Sequence, residues 1–369
     1  MSGELSRLVF PLMELFLRNI GGVTVAQLAE FDEIIDVRSP SEFSVDHIPG
    51  AINYPVLNDE ERARVGTIYK QVSSFDARKI GAAIIARNTA RHLEEHFIHR
   101  PRDWHPLVYC WRGGKRSGAM THILSEVGWF AQQLEGGYKA YRHAVQDALE
   151  ILPRQFRWRV VCGLTGSGKS RLLHALHGVG AQVLDLEGLT RHRGSVLGSM
   201  PNESQPSQKY FDSLMFHELK KFDPTRTVYV EAESKKIGDL RVPQAMIDAM
   251  WQSDCIRLEV GLTSRVRLLM EEYAHFLTDI STLYPRLDCL IGLHSKEIVG
   301  CWKVLAEQNK WEDLVGELLI KHYDPAYTRS TLKNYERYGQ GVVQKTNDLS
   351  DQAMHLLASE VITSESASV

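Results

Sequence analysis

The chain has 369 residues, of which 43% are hydrophobic and 24% charged, with a formal net charge of −3 at pH 7. This length exceeds one ordinary hydrophobic core, and the small net charge excludes a general attraction to nucleic acid. No apolar run approaches the roughly 20 residues of a membrane span, and the five cysteines form no CxxC pair of the kind that binds zinc. We therefore expect a cytoplasmic protein with two domains and no membrane contact.

Helix and strand patterns alternate through the first domain, which is predicted to comprise residues 1–150. An amphipathic helix is predicted at MSGELSRLVFPLMELFLRN, which glutamates interrupt too early for a membrane anchor. Strands are predicted at EIIDVR, AINYPV and LVYC, and helices at residues 59–99, 116–127 and 138–150. This alternation predicts an α/β domain.

Cys110 ends the LVYC strand and opens a loop in which two glycines lie among three cations. The backbone N–H groups of such a loop, and the positive end of the following helix, stabilise a thiolate or a terminal S–S⁻ or S–Se⁻ anion. Cys110 is therefore the candidate catalytic residue, a carrier of a chalcogen atom, although an inert packing cysteine is the alternative. The predicted loop residues are Arg112, Gly113, Gly114, Lys115 and Arg116. Core packing is the interpretation for Cys162, Cys255, Cys289 and Cys301.

The segment DVRSPSEFSVDHIPGAINYP lies upstream of this loop. Its Asp-x-Arg start, its Glu-Phe pair and its HIPGAIN stretch, together with the Cys110 loop, resemble a rhodanese domain. Asp36 and Arg38 are interpreted as residues that orient the loop. Tyr138 and Lys139 are expected near the thiol pocket.

The second domain, predicted over residues 151–369, repeats the alternation of strand and helix. Strands at RVVCGL, AQVLDLE, RTVYVEA and CIRLEV predict a P-loop domain with a parallel sheet, and from Thr263 onward the pattern is helical. The arginines and aromatic residues of RQFRWR alternate, which fits either contacts to a nucleic acid or an ordinary strand. We favour the strand.

The stretch GLTGSGKS at residues 163–170 matches GxxxxGKS between an apolar strand and a helical segment. In that context the loop N–H groups form an anion nest, Lys169 reaches terminal phosphate oxygens and Ser170 binds Mg²⁺. The predicted phosphate-binding residues are Gly163, Thr165, Gly166, Ser167, Gly168, Lys169 and Ser170. No base-reading motif follows, so the bound diphosphate need not belong to ATP.

Glu231 lies near the end of the predicted strand RTVYVEA, and Glu233 directly follows that strand. They either help to hold Mg²⁺ or form ion pairs with the neighbouring Lys235 and Lys236, and the sequence favours neither.

The two domains occur with the segments VGTIYKQVSSFDARKIGA, LEGGYKAYR, DLEGLTRHRGSVLG, QPSQKYFD and VYVEAESKKIG. In this combination the chain resembles the tRNA 2-selenouridine synthase family over nearly its whole length. The resemblance implies a tRNA-modifying transferase that converts 2-thiouridine at the anticodon wobble position to 2-selenouridine. It implies S-geranylation with geranyl diphosphate at the phosphate loop, and then selenation from selenophosphate with Cys110 as the selenium carrier.

The basic cluster Arg191, His192 and Arg193 follows the second strand of the second domain, on the side where ligands bind such sheets. It holds either the diphosphate or a tRNA phosphate, or it is a solvated basic turn.

Two other functions are compatible with parts of the sequence. One is a thiosulfate sulfurtransferase fused to an ATP-dependent kinase, which ATP turnover without tRNA would favour. The other is a nucleotide-sensing switch whose thiol domain only binds a partner, against which Cys110 in a cationic loop counts.

Overall fold

The computed structural model describes residues 22–201 and 203–366, and the chain divides into two compact units, Met1–Asp147 and Ala148–Val369. The helix predicted at residues 1–19 lies outside the described residues. Among the described helices, none combines the length and the apolar character needed to cross a membrane.

The first unit contains a four-stranded parallel sheet in the order β2-β1-β3-β4. Its strands are β1 (Glu33–Asp36), β2 (Ile52–Asn53), β3 (Pro106–Tyr109) and β4 (Gln132–Gln133). In the central pair, Asp36 at the end of β1 is in register with Tyr109 at the end of β3. The segments that follow the two strands, including Arg38 and Cys110, therefore leave the sheet at the same edge.

Five α-helices accompany this sheet in the described part of the first unit. They are Pro40–Val45, Asp59–Gln71, Ser74–His92, Lys115–Val127 and Gly137–Ile151, the last of which contains the boundary between the units. The helical stretch predicted over residues 59–99 is thus two helices followed by a π-helical turn at Leu93–Phe97. Asn58 and Glu61 form a capping box at its start, where three acidic residues also face the positive end of the helix.

Helix and sheet of the first unit meet in an apolar core. Its completely buried side chains include Ile35, Val37, Val108, Met120 and Leu124. All four residues of β3 are buried, so the strand that ends next to Cys110 is held inside the unit.

The second unit contains a five-stranded parallel sheet in the order β11-β10-β5-β7-β6 and a two-stranded hairpin. The strands are β5 (Arg157–Cys162), β6 (Gln182–Leu184), β7 (Thr227–Glu231), β8 (Lys236–Ile237), β9 (Leu240–Arg241), β10 (Asp254–Glu259) and β11 (Val342–Lys345). β8 and β9 form the hairpin. The predicted α/β fold class with a parallel sheet is confirmed.

One strand of this sheet contradicts the sequence prediction that everything after Thr263 is helical. β11 pairs in parallel with β10, with Val342 in register with Ile256. Its four side chains are largely exposed at the edge of the sheet. The segment therefore lacks the apolar run by which a buried strand is recognised in a sequence.

The segment RQFRWR enters the central strand β5, so the favoured strand interpretation is confirmed. Phe156 and Trp158 are 8% and 4% exposed, and the Trp158 indole N–H donates to the Pro153 carbonyl over 2.7 Å. These two rings are core residues and offer no free face to a nucleic-acid base.

Helices in the second unit surround the sheet and form a C-terminal helical region. They are Lys169–Gly178, Leu186–Thr190, Gln208–Leu219, Gln244–Trp251, Leu262–Glu272, Ala274–Thr278, Tyr284–Asp288, Lys296–Glu307, Trp311–Leu318, Asp324–Asn334 and Asp351–Ser366. One apolar cluster lies between the sheet and the helices Lys169–Gly178 and Asp351–Ser366. A second, centred on Trp302, holds the helices between Ala274 and Leu318 together.

Candidate active site

Cys110 lies directly after β3 and is 2% exposed. The Ser117 hydroxyl donates a hydrogen bond to the Cys110 Sγ over 3.3 Å. The Gln133 amide in turn donates to the Ser117 Oγ over 2.8 Å and to the Gly114 carbonyl over 3.0 Å. Ser117 accepts from Gln133, and its own hydroxyl lies within hydrogen-bond distance of the sulfur and, at 3.4 Å, of the Gly114 carbonyl. The sequence prediction missed both Ser117 and Gln133.

The backbone after Cys110 presents a row of free N–H groups. Gly113 and Gly114 both have φ of +71°, and the helix Lys115–Val127 begins immediately after them. Within the described residues, the N–H groups of residues 111–117 have no acceptor. Consecutive free N–H groups at a helix N-terminus form an anion-binding concavity.

The three cations of the loop have different surroundings. Arg116 pairs with Glu42, with 2.8 Å between Nη1 and Oε2. Burial raises the pKa of Glu42, but the Arg116 guanidinium and the Ser39 N–H outweigh it and hold that pKa below its usual value. Arg112 and Lys115 are exposed and pair with no group in the described part of the chain.

Buried ionic contacts brace the loop from beneath. Arg38 and Asp36 form a fully buried ion pair of 2.6 Å, and Arg38 also donates to the Asp46 carbonyl over 2.6 Å. The Arg38 guanidinium lies 4.0 Å from the ring centroid of Tyr138, whose hydroxyl donates to Asp46 Oδ2 over 2.7 Å. The Tyr138 N–H donates to the Cys110 carbonyl over 2.8 Å. The network therefore positions the loop backbone and does not contact the sulfur.

Gly137 is required where its helix meets the thiol loop. Its φ is +58°, and a Cβ there would lie 2.4 Å from the Cys110 carbonyl oxygen. The Lys139 N–H donates to the Trp111 carbonyl over 3.0 Å. Tyr138 and Lys139 thus contact the loop through their backbone.

In the second unit, the glycine-rich loop GLTGSGKS joins β5 to the helix Lys169–Gly178. Gly166 and Gly168 have φ of +76° and +80°, and a Cβ on Gly163 would lie 2.4 Å from Ser167 Oγ. In the described structure, backbone N–H groups without an acceptor belong to Thr165, Gly166, Gly168, Lys169 and Ser170. The Ser167 side chain is 1% exposed and its hydroxyl has no partner in the described structure. The loop is therefore an open concavity of hydrogen-bond donors.

Three carboxylates lie beside this loop. One oxygen from each of Glu187, Glu231 and Glu233 falls within 4.8 Å of the other two. The Ser170 hydroxyl lies 2.9 Å from Glu231 Oε2 and 3.0 Å from Glu187 Oε2, and Lys169 Nζ lies 3.4 Å from Glu231 Oε1. Hard oxygen ligands in this number suit a divalent cation such as Mg²⁺.

Crowding of these carboxylates changes their protonation. Burial, and then repulsion by Glu231, raise the pKa of Glu233 to about 8. The same two causes raise the pKa of Glu187 well above its usual value. The carboxylates thus form a site in which a nearby cation would favour ionisation.

Within the described residues, Glu231 and Glu233 form no ion pair with Lys235 or Lys236, which was the alternative interpretation. Lys236 pairs with Asp239 at 3.3 Å, and the Lys235 ammonium lies 4.8 Å from the ring centroid of Trp251. Glu187, which the sequence prediction missed, joins Glu231 and Glu233 instead. Its signal was an acidic residue just after β6, comparable to Glu231 at the end of β7.

The basic cluster after β6 is divided between two cavities. Arg193 lines the cavity of the glycine-rich loop and donates to the Glu272 carbonyl over 2.7 Å. Arg191 and His192 line a separate polar cavity together with Arg286. Only Arg193 is therefore placed to reach a group bound at the glycine-rich loop.

The remaining cysteines have two kinds of environment. Cys162 and Cys255 are buried on neighbouring strands, as core packing requires. Cys289 and Cys301 are exposed, so the core-packing interpretation is wrong for them. Both lie in or next to helices whose apolar neighbours suggested burial, while the thiols themselves fall on the outer face.

These features define a two-domain α/β protein that joins a strand-end thiol loop to a glycine-rich, carboxylate-lined loop. The family model described as a rhodanese-like domain matches residues 23–144, and the tRNA 2-selenouridine synthase AAA domain matches residues 156–284. The chain belongs to the tRNA 2-selenouridine synthase family, as the sequence resemblance predicted.

Two relatives of the same family name support this assignment. A tRNA 2-selenouridine synthase of Sulfurovum sp. (strain NBC37-1) is 32% identical over 82% of this chain and 90% of its own length. Its namesake from Nitrosomonas europaea is 37% identical over 65% of this chain, and the match spans only 63% of that relative. Among solved structures, an N-terminal domain from Clostridium difficile 630 is 35% identical over 34% of this chain and 98% of its own, with a TM-score of 0.31.

Proposed function

We propose that this chain modifies tRNA by replacing the sulfur of wobble 2-thiouridine with selenium in two steps. The observation that carries the proposal is the presence, in one chain of this family, of two separate rows of free backbone N–H groups. One row follows a buried cysteine and the other forms the glycine-rich loop. Each row suits a different anion, and the two-step chemistry requires two anion-binding sites.

The first proposed step is S-geranylation with geranyl diphosphate. The sulfur of the base attacks C1 of the prenyl group, the C1–O bond breaks, and pyrophosphate leaves with the electron pair. The base loses its N3 proton to water, which gives neutral S-geranyl-2-thiouridine. The free N–H groups of the loop and the Lys169 ammonium are suited to stabilise the negative charge that develops on that leaving group. Ser170, Glu187, Glu231 and Glu233 would hold Mg²⁺, which when bound neutralises pyrophosphate charge.

The second proposed step replaces the geranylthio group with selenium from selenophosphate. Alkylation of the sulfur makes C2 of the base more electrophilic and makes sulfur a better leaving group. The selenium of selenophosphate attacks C2, the C2–S bond breaks, and geranylthiolate leaves with the electron pair. Water then cleaves the Se–P bond and phosphate leaves, so selenium stays at the selenide level throughout. The Cys110 loop holds the selenophosphate for this attack: residues 111–117 supply N–H donors for the anion, and the Ser117 hydroxyl lies at the Cys110 sulfur. A loop with fewer donors would hold this anion less well.

Replacement of the thiol tests the second step. Cys110→Ala should accumulate S-geranyl-2-thiouridine and lower 2-selenouridine by at least about 100-fold, because the thiol that positions the selenium donor is gone. The measurement is nucleoside mass spectrometry of thiolated tRNA incubated with the protein, geranyl diphosphate and selenophosphate. Cys301→Ala, which removes an exposed thiol, should behave as the wild type. Selenouridine formed at the normal rate by Cys110→Ala would show that Cys110 has no role in the second step.

Replacement of the loop lysine tests the first step in the same assay. Lys169→Ala should slow geranyl transfer by about 100- to 1,000-fold, since a donor to the leaving group is lost. Lys221→Ala, at an exposed lysine that pairs with Glu218, is the matched control. Unchanged transfer by Lys169→Ala would remove the loop from the mechanism, and steady ATP turnover without tRNA would favour the sulfurtransferase and kinase alternative.

A further inference from the structure

An apolar cavity lies beside the glycine-rich loop in the second unit. Its volume is about 70 Å³, and the neighbouring cavity of the glycine-rich loop has a volume of about 620 Å³. Large apolar side chains dominate its wall, among them Leu269, Met270, Phe276, Trp311, Val315 and Leu318. None of the described residues that line it is charged. A ligand in this cavity can therefore bury hydrocarbon, but it finds few partners for polar groups.

The apolar cavity adjoins the cavity of the glycine-rich loop. The residues that line both are Thr165, Ser195, Leu269, Tyr273 and Tyr323. Thr165 itself belongs to the glycine-rich loop, and its backbone N–H is one of the free donors. The two adjoining cavities thus offer a donor-rich end that suits phosphate and an apolar end that suits hydrocarbon.

Positive charge lies where the two cavities meet. The Arg193 guanidinium carbon is 4.8 Å from the ring centroid of Tyr273, and Arg193 lines only the loop cavity. Cationic and N–H donors are therefore confined to the phosphate end. A nucleotide base placed in the apolar end would lose hydrogen bonds to water without replacement.

We infer that the apolar cavity receives the hydrocarbon chain of a prenyl diphosphate whose diphosphate lies at the glycine-rich loop. The inference rests on the proposed geranylation step and adds where the chain is held. Leu269 and Tyr273, which line both cavities, contact the first carbons of the chain, and Trp311 and Val315 contact carbons further from the diphosphate. The volume of the cavity then limits the length of chain that binds.

A substitution that fills the cavity tests this assignment. Val315→Phe should weaken binding of geranyl diphosphate at least about tenfold, because each buried methylene contributes roughly fourfold to affinity and the ring displaces several. Binding of inorganic pyrophosphate with Mg²⁺, measured by the same calorimetry, should stay within about twofold of wild type. Val304→Phe is the matched control, because Val304 is 46% exposed and does not line the cavity.

The outcomes separate this inference from the proposed function. Geranyl transfer by the wild type, together with unchanged geranyl diphosphate binding by Val315→Phe, would overturn the cavity assignment alone. If the wild type bound geranyl diphosphate no more tightly than pyrophosphate, the cavity assignment and the geranylation step would fail together.

A second variant acts in the opposite direction and keeps the test decisive if Val315→Phe does not fold. Trp311→Ala enlarges the cavity, so the affinity ratio of farnesyl diphosphate to geranyl diphosphate should rise at least about threefold. The ratio is insensitive to a general loss of active protein. An unchanged ratio would contradict the inference.

Discussion

At Cys110, the hydrogen bond to the sulfur comes from Ser117, which is seven residues later in the chain. Gln133, a third segment, orients that hydroxyl. Of the loop cations, Arg116 is engaged with Glu42, while Arg112 and Lys115 face solvent. The charge that surrounds the thiol in the sequence is therefore arranged as one structural ion pair and two exposed cations.

Arg116→Gln should raise the pKa of Glu42, because it removes the guanidinium that outweighs burial there. A carboxyl group whose pKa is lowered by folding stabilises the folded state at pH values above its usual pKa near 4.5. That contribution is lost as the pH falls through the pKa that the group has in the folded state. The variant should thus lose stability at pH 7 and show a shallower decline toward acid. NMR titration of Glu42 and urea unfolding measure both effects.

Arg112→Gln is the control for this prediction, since Arg112 is exposed and unpaired within the described chain. It should leave the Glu42 titration unchanged. If Arg116→Gln also left it unchanged, Arg116 and Glu42 would not be paired in solution.

At the scale of elements, two helices of the second unit hold the glycine-rich loop that follows β5. Arg265, which is 3% exposed, donates to the Thr165 carbonyl over 2.8 Å and pairs with Asp324 at 2.5 Å. The Tyr327 hydroxyl accepts the Gly163 N–H over 2.8 Å. Helices Leu262–Glu272 and Asp324–Asn334 therefore keep the loop N–H groups oriented while leaving them free.

Gly163→Ala should weaken pyrophosphate binding at least about tenfold and destabilise the chain by about 1–3 kcal/mol. The new Cβ would lie 2.4 Å from Ser167 Oγ and 2.9 Å from the Leu258 carbonyl oxygen of β10, and a sheet backbone cannot move away easily. Gly178→Ala is the control, because nothing lies within 4 Å of its Cβ position. That change should be neutral or stabilise by up to about 1 kcal/mol. Calorimetry measures the pyrophosphate binding, and thermal unfolding measures the stability. Normal pyrophosphate binding by Gly163→Ala would contradict the role of this glycine.

At the scale of the whole molecule, each candidate site is built within one unit. The groups around Cys110 come from residues of the first unit, and those around the glycine-rich loop come from the second. A defect in one site should therefore leave the chemistry of the other site intact.

Complementation between two defective chains tests that independence. A mixture of Cys110→Ala and Lys169→Ala chains should restore 2-selenouridine that neither forms alone, because the first chain makes the geranylated tRNA that the second can selenate. Nucleoside mass spectrometry of the tRNA measures the product. A mixture that accumulates S-geranyl-2-thiouridine without selenouridine would show that the intermediate does not pass between chains.

The sequence by itself determined the fold class, the family resemblance and the candidate loops, because each is carried by contiguous residues with a strong local signal. Cys110 after an apolar strand and GLTGSGKS between strand and helix are patterns of this kind. The resemblance to the tRNA 2-selenouridine synthase family and the α/β fold class are confirmed. Roles of individual residues in selenium and prenyl chemistry stay predictions.

Only the tertiary structure decided which distant groups meet. Glu187 joins Glu231 because parallel strands end at one edge of the sheet, and Gln133 in β4 reaches Ser117 in the helix after the thiol loop. The apolar cavity is formed by residues from Thr165 to Tyr323, whose separate helical patterns look like ordinary core. The short edge strand β11 is defined by its hydrogen bonds to β10. Such features depend on contacts between segments far apart in the chain, and the local periodicity of the sequence does not indicate which segments meet.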